Sequence, residues 1–238
     1  MKIIIMPLYG IGDALMSTPA LRNIKEKTGA HITYLHMFKT TRDILINNPC
    51  IDEGIHFPFL NSGRLEGLRF LLRLRGKFDA SINFYPTNRK DYNLASFIVG
   101  CPMRIGHRYV LRDIRELNFL KNRTVREDDS LHNVEEDLSL LDFLGINEKT
   151  PYPMEVHLSE EEKKAAASWL EGRGLGAAPF IGFHPGSSVF KESIRKRWPF
   201  EKVASLIREL SAAYPDFSYL LFGGREENPL KELIREAS

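Results

Sequence analysis

The stretch Tyr9-Gly10-Ile11-Gly12-Asp13 constrains this chain more than any other. Before it runs Lys2-Ile3-Ile4-Ile5-Met6, an apolar, β-branched run that reads as a buried strand. After it the apolar spacing turns helical. A glycine-rich turn therefore joins a strand to a helix, with a carboxylate where the helix opens. Units of this kind build parallel α/β sheets, whose ligand loops gather at the carboxyl edge of the strands. Glycines permit positive φ and close approach of a ligand to the backbone, and free amides at a helix start attract anions. Two readings of Asp13 stay open: it N-caps the helix, or it does chemistry beside those amides. A dinucleotide fingerprint fits less well. Its third small residue would fall at Leu15, and Ile32-Thr33-Tyr34-Leu35-His36 ends without the required acid.

The rest of the first half repeats strand–helix alternation. Residues 14–27 read as a helix in which Pro19 either bends the rod or follows a Thr18 cap. Strands are expected at 31–37, 54–59, 78–84 and 104–106, and helices at 43–47, 64–75, 94–99 and 132–143. Within 64–75, Leu65, Leu68, Leu71 and Leu72 are expected on one packed face, with Arg69 and Arg73 on another. That helix is either scaffold laid on a sheet or a surface that meets anionic lipid or phosphate. The loop Tyr85-Pro86-Thr87-Asn88-Arg89 follows a strand and lies at the expected ligand edge. Residues 111–130 are polar, basic and carry no clear period. Asn147–Pro153, with two prolines, reads as a linker, dividing the chain into 1–150 and 151–238. In the second part Ser159 and Glu162 form a capping box for a helix to about residue 171. Strands follow at 179–183 and 218–222, with helices from Pro199 and over 230–237.

The 238 residues are many for one average domain and few for two complete ones. The net charge of +2 hides an uneven spread, since residues 61–126 hold 14 Lys/Arg against 5 Asp/Glu. One region thus offers a face to an anionic partner, or is ordinary solvated surface. A nucleic-acid module would need aromatics interleaved with that charge and would leave Asp13 without a task. Two cysteines, Cys50 and Cys101, argue against a disulfide scaffold and fit a reducing compartment. No stretch approaches the length of a membrane-spanning helix. The expectation is a soluble, intracellular protein, with contact to a membrane surface left open.

Chemistry-bearing groups cluster on the strand-end loops. The first is Gly10-Ile11-Gly12-Asp13. His184-Pro185-Gly186-Ser187-Ser188 offers hydroxyls and amides suited to phosphate oxygens, or simply makes a turn. Lys196-Arg197-Trp198-Pro199 brings two cations to a helix start, with Trp198 as a core anchor in the plainer reading. Gly223-Gly224-Arg225-Glu226-Glu227 is a second glycine turn, its acids near another helix start. Taken in order, these describe an anion site in the second part and a carboxylate in the first.

That order resembles the lipopolysaccharide heptosyltransferases of glycosyltransferase family 9. The resemblance runs along essentially the whole chain. It is carried by Gly12-Asp13-Ala14-Leu15 with Thr18-Pro19-Ala20-Leu21, by Arg104-Ile105-Gly106, and by His132-Asn133-Val134-Glu135 leading to Leu144-Gly145-Ile146. It continues through the His184, Lys196 and Gly223 motifs. The resemblance implies a GT-B fold, two Rossmann-like α/β parallel-sheet domains. In this chain they would be residues 1–150, binding acceptor, and a partial domain over 151–238, binding the nucleotide-sugar. It implies inverting, metal-independent transfer of a heptose from ADP-heptose to a lipopolysaccharide inner core, without a cofactor. A transferase using another nucleotide-sugar or acceptor is the nearest alternative.

By the same resemblance Asp13 is the catalytic base and Lys196 supports the departing diphosphate. Gly186, Ser187, Ser188, Lys196, Gly223, Gly224 and Glu227 form the donor-binding set, with Glu227 on the nucleoside, and Gly12 and Arg64 are acceptor-binding. The chemistry is coherent. An acceptor hydroxyl must lose a proton as it attacks, and the leaving diphosphate gathers charge that cations and amides stabilise. The implied partners are an ADP-sugar and an anionic glycolipid, at the cytoplasmic face of the inner membrane and with no nucleic acid. Family chains continue beyond residue 238 through an Asp-Ser-Gly…His segment that has no match here. This sequence is therefore expected to be a fragment, with a stable first domain, protease sensitivity after Asn147 and little ADP-sugar binding by itself.

Overall fold

The computed structural model describes residues 1–6, 10–86, 89–109, 113–176, 179–187 and 195–238. The chain divides into two compact units, Met1–Leu158 and Ser159–Ser238.

The first unit runs β1 (Lys2–Ile5), α1 (Ile11–Met16), α2 (Thr18–Thr28), β2 (His31–His36), α3 (Lys39–Leu45) and β3 (Glu53–His56). It continues with α4 (Arg64–Leu74), β4 (Ala80–Asn83), α5 (Lys90–Val99), β5 (Met103–Arg108), β6 (Arg123–Arg126) and α6 (Asn133–Ser139). The six strands form one sheet in the order β3-β2-β1-β4-β5-β6, every pairing parallel. This is the doubly wound order, and it reverses direction between β1 and β4. Ile3, Ile4 and Ile5 of β1 are wholly buried because helices cover both sides of the sheet. Ile3 and Ile5 join one core cluster with Leu21, Ile24 and Leu140. Ile4 joins the other with Leu71, Leu74 and Val99. Each such side chain contributes on the order of 1.5–3 kcal/mol.

Several elements differ from the sequence reading. The helix expected over 14–27 is two helices meeting at Ser17, whose hydroxyl hydrogen-bonds the Ala14 carbonyl at 2.7 Å. Pro19 falls in the first turn of the second, where its missing N–H costs nothing. Helix α4 packs on Leu71 and Leu74, whereas Leu65, Leu68 and Leu72 are exposed. The leucines expected together thus lie on two faces, and the chosen stripe is the outer one. The basic stretch 111–130 contains edge strand β6, paired with β5. Gly106 on β5 is required by close packing, since a Cβ there would stand 2.9 Å from Lys121 Cε. The Lys121 ammonium donates to the His107 carbonyl at 2.8 Å and to Asn118 Oδ1 at 2.7 Å. Burial lowers its pKa to about 7.

The units part eight residues beyond the linker boundary read from the sequence. Residues 150–155 are tied down on the first unit. The Asn23 side chain bonds both Thr150 backbone groups, Arg22 pairs with Glu155 at 2.5 Å, and Thr18 Oγ1 accepts from the Glu155 N–H.

The second unit contains α7 (Glu160–Glu171), β7 (Phe180–Phe183), α8 (Phe200–Ala213), β8 (Ser218–Leu221) and α9 (Asn228–Ala237). The expected capping box is present, with Ser159 Oγ accepting from Glu162 N–H and Glu162 Oε2 from Ser159 N–H. Strands β7 and β8 pair in parallel. Val203, Ala204 and Ile207 of α8 meet Ile234 of α9 in the core.

Candidate active site

The reversal between β1 and β4 puts two loops at the carboxyl edge of the first sheet, the place where such folds hold ligands. The loop after β1 leads into α1. Gly10 is its N-cap, in extended backbone with φ −80°. Asp13 is the third helical residue and half-buried, so it is not the N-cap, and the carboxylate lies in the first turn. Neither Gly10 nor Gly12 uses the positive φ that glycine permits, and a Cβ on either would meet nothing within 4 Å. The fold does not demand these glycines; their bareness leaves α1 open to close approach from outside. Tyr9 lies outside the described residues.

The loop after β4 is anchored from α6. Asp137 Oδ1 accepts the Tyr85 N–H at 2.6 Å. Asp137 is fully buried, and burial pushes its carboxyl well above the usual range; the Tyr85 bond opposes this, while the charge of Asp13 reinforces it. Asp13 thus acts electrostatically on the residue that holds the neighbouring loop. It acts on Tyr92 as well, whose hydroxyl is pushed up chiefly by burial. Tyr92 lines a cavity of about 680 Å³ between α4 and α5, with Arg64, Arg89 and Lys90 also in its walls. Arg64, expected to bind acceptor, is the first residue of α4 and part of this cavity. Thr87 and Asn88 of the second loop lie outside the described residues.

The second unit gathers its own set. Glu227 is buried, and its Oε2 accepts the Gly224 N–H at 2.7 Å. Its carboxylate lies against two bare glycines: a Cβ on Gly186 would fall 1.6 Å from Oε1, and one on Gly223 would fall 2.7 Å from Oε2. A side chain at either position would force the Glu227 carboxylate to move. Arg197 approaches the same carboxylate at 3.7 Å. Its guanidinium also donates to the Ser187 hydroxyl at 3.2 Å and the Ser187 carbonyl at 2.7 Å. A concavity of about 230 Å³ is lined by His184, Gly186, Lys196, Arg197 and Trp198. Lys196 is exposed on its wall, and Trp198 is half exposed rather than a core anchor. Ser188 lies outside the described residues. The arginine that joins Ser187 to Glu227 was not singled out from sequence, where the adjacent lysine carries an equal charge.

A sequence profile of glycosyltransferase family 9 (heptosyltransferase) matches residues 68–237. The chain belongs to glycosyltransferase family 9. This family 9 chain also matches solved structures. A family 9 glycosyl transferase from Veillonella parvula aligns with a TM-score of 0.78 at 23% identity, over 99% of this chain and 66% of that one. The ADP-heptose lps heptosyltransferase II of E. coli aligns with a TM-score of 0.74 at 24% identity, over 100% and 69%. The E. coli heptosyltransferase WaaC with ADP-2-deoxy-2-fluoro heptose aligns with a TM-score of 0.71 at 18% identity, over 99% and 73%. At these identities the structures establish the GT-B type of fold. The chain spans about two thirds of the length of the first of them. No curated protein sequence matches it.

Proposed function

We propose that this family 9 chain carries the acceptor-side and part of the donor-side machinery of an inverting heptosyltransferase. ADP-heptose is the donor and a lipopolysaccharide inner-core sugar the acceptor. The observation that carries the reading is Asp13: in a chain of this family, a half-buried carboxylate stands at the switch point of the first sheet.

Asp13 takes the proton of the acceptor hydroxyl as that oxygen attacks the anomeric carbon. Arg64, Arg89 and Lys90 receive the anionic part of the acceptor, which suits the walls of their cavity. In the second unit Lys196, Gly186, Ser187 and Ser188 hold the diphosphate, whose charge grows as the glycosidic bond breaks. Glu227 takes a hydroxyl of the nucleoside, and Arg197 keeps it and Ser187 in register. No metal is required in this scheme, because cations and amides meet the leaving group. The acceptor is membrane-anchored, so the protein works as a peripheral protein at the cytoplasmic face.

The test is a donor panel. The complete reading frame is incubated with an inner-core acceptor and ADP-heptose, UDP-, GDP- or other ADP-sugars, with and without EDTA. Transfer from ADP-heptose with inverted anomeric configuration and no loss in EDTA is the expected result. Preference for another nucleotide-sugar would make this a family 9 transferase of different substrate.

A further inference from the structure

Helix α4 carries two apolar faces. Leu71 and Leu74 go into the core, while Leu65 is 70% exposed, Leu68 39% and Leu72 47%. At about 3.6 residues per turn the three exposed leucines form one outer stripe. Arg64 flanks it on one side, and Arg69 and Arg73 on the other. Helix α5, packed beside α4, adds exposed Leu94. Leu68 and Leu94 both line the cavity between the two helices. Exposed large apolar side chains grouped on two neighbouring helices are the kind of patch that marks an interaction surface.

The charge around the patch is one-sided. Arg64, Arg69, Arg73, Arg75, Arg89 and Lys90 surround it, against Glu66 and Asp91. Arg75 also ties the two helices, donating to the Ile98 carbonyl at 3.3 Å.

We propose that the outer face of α4 and α5 is a docking surface for an anionic lipid leaflet, with Leu65, Leu68, Leu72 and Leu94 entering the interface and the arginines meeting headgroup phosphates. A second copy of the chain is the weaker occupant. An isologous pairing would bring the same arginines face to face, whereas a leaflet of opposite charge satisfies them. Leucines beside arginines on one helix face are the arrangement an interfacial helix needs. The inference deepens the membrane-acceptor reading and rests on it. It adds that the cavity holding Arg64 shares Leu68 and Leu94 with this face, so that an acceptor enters it without leaving the membrane.

The experiment is vesicle co-flotation of the purified protein, with neutral phosphatidylcholine or with phosphatidylcholine containing phosphatidylglycerol, at two salt concentrations. Leu65→Gln/Leu72→Gln alters residues outside the cavity walls and keeps good helix formers. It is expected to lower partitioning onto anionic vesicles by about tenfold or more. Arg69→Gln/Arg73→Gln is expected to cost about 10- to 30-fold and to abolish the preference for anionic lipid. Wild-type binding should weaken with salt. Thermal unfolding of both variants should match wild type, since the four positions are exposed.

Unchanged flotation of the leucine variant overturns the proposal. So does a concentration-dependent dimer in sedimentation that the leucine change abolishes while wild type ignores vesicles. Transfer to a delipidated inner-core oligosaccharide separates this failure from that of the acceptor reading. Transfer without vesicle binding rejects the docking face alone. Vesicle binding that responds as expected, without transfer, upholds the face and rejects the acceptor.

Discussion

Gly186→Ala is the sharpest structural perturbation available. An ideal Cβ at that position falls 1.6 Å from Glu227 Oε1 and 2.1 Å from its Cδ, where real contacts do not go below 3.0 Å. The carboxylate has to move. With it goes the 2.7 Å hydrogen bond from the Gly224 N–H, and the approach of Arg197 is disturbed. A hydrogen bond to a charged, buried acceptor is worth about 1.5–3 kcal/mol. Reduced chain entropy in the unfolded state returns about 0.4–1 kcal/mol. The net loss is then about 1–2 kcal/mol, which for a unit of this size lowers its melting temperature by about 5–15 °C. Calorimetry follows the melting transition, and hydrogen exchange follows the Gly224 amide, which should lose protection. Gly186→Ala/Glu227→Ala removes the overlap, so the two changes should be clearly non-additive. An unchanged transition with a fully protected Gly224 amide would refute the packing argument.

Other expectations follow from the same geometry. Lys121 has its pKa lowered from 10.5 to about 7 in the folded state. Between those values only the unfolded chain binds the proton, so stability contributed here rises with pH from about 7 to 10, by at most about 1.4 kcal/mol per unit. Denaturant titrations of wild type against Lys121→Met should show that slope in wild type alone. Arg197→Lys should loosen Ser187 nearly as much as Arg197→Ala, because one ammonium cannot replace a guanidinium fork; comparable proteolysis of residues 185–187 in both variants checks this. Lys196→Ala in the complete protein should weaken ADP binding and slow transfer together, a cation on the diphosphate acting in both ground and transition states. Calorimetry and steady-state kinetics separate these effects.

The strand β1 and the capping box of α7 were legible in the sequence because each depends on neighbours a few residues apart. Ile3-Ile4-Ile5 reads as buried on both faces, and Ser159 and Glu162 need only each other. Helix α4 was misread for a specific reason. Periodicity finds an apolar stripe but does not say which stripe meets the sheet, and here there are two. Strand β6 escaped because Arg123–Arg126 is polar on an edge, stabilised by ladder bonds to β5 rather than by side-chain burial. Among the candidate site residues, Asp13, Gly186 and Glu227 carried visible motifs. Asp137 did not, and Arg197 stood in a visible motif with nothing local to set it apart from Lys196. Arg197 is told apart by the carbonyl and carboxylate it reaches, and Asp137 by a single backbone N–H on a loop 52 residues away. Three-dimensional contact gives those residues their meaning, and no local pattern encodes it.

The central claim is that Asp13 is the base, and heptose transfer by Asp13→Asn in the complete protein tests it most directly. The amide keeps the shape of the side chain and cannot take the proton. Turnover with ADP-heptose and an inner-core acceptor should fall on the order of 10²–10⁴-fold, while ADP affinity stays near wild type, since the proposed donor set lies on the second unit. Near-normal turnover in Asp13→Asn would contradict the claim and leave Asp13 as a first-turn carboxylate that only steadies α1.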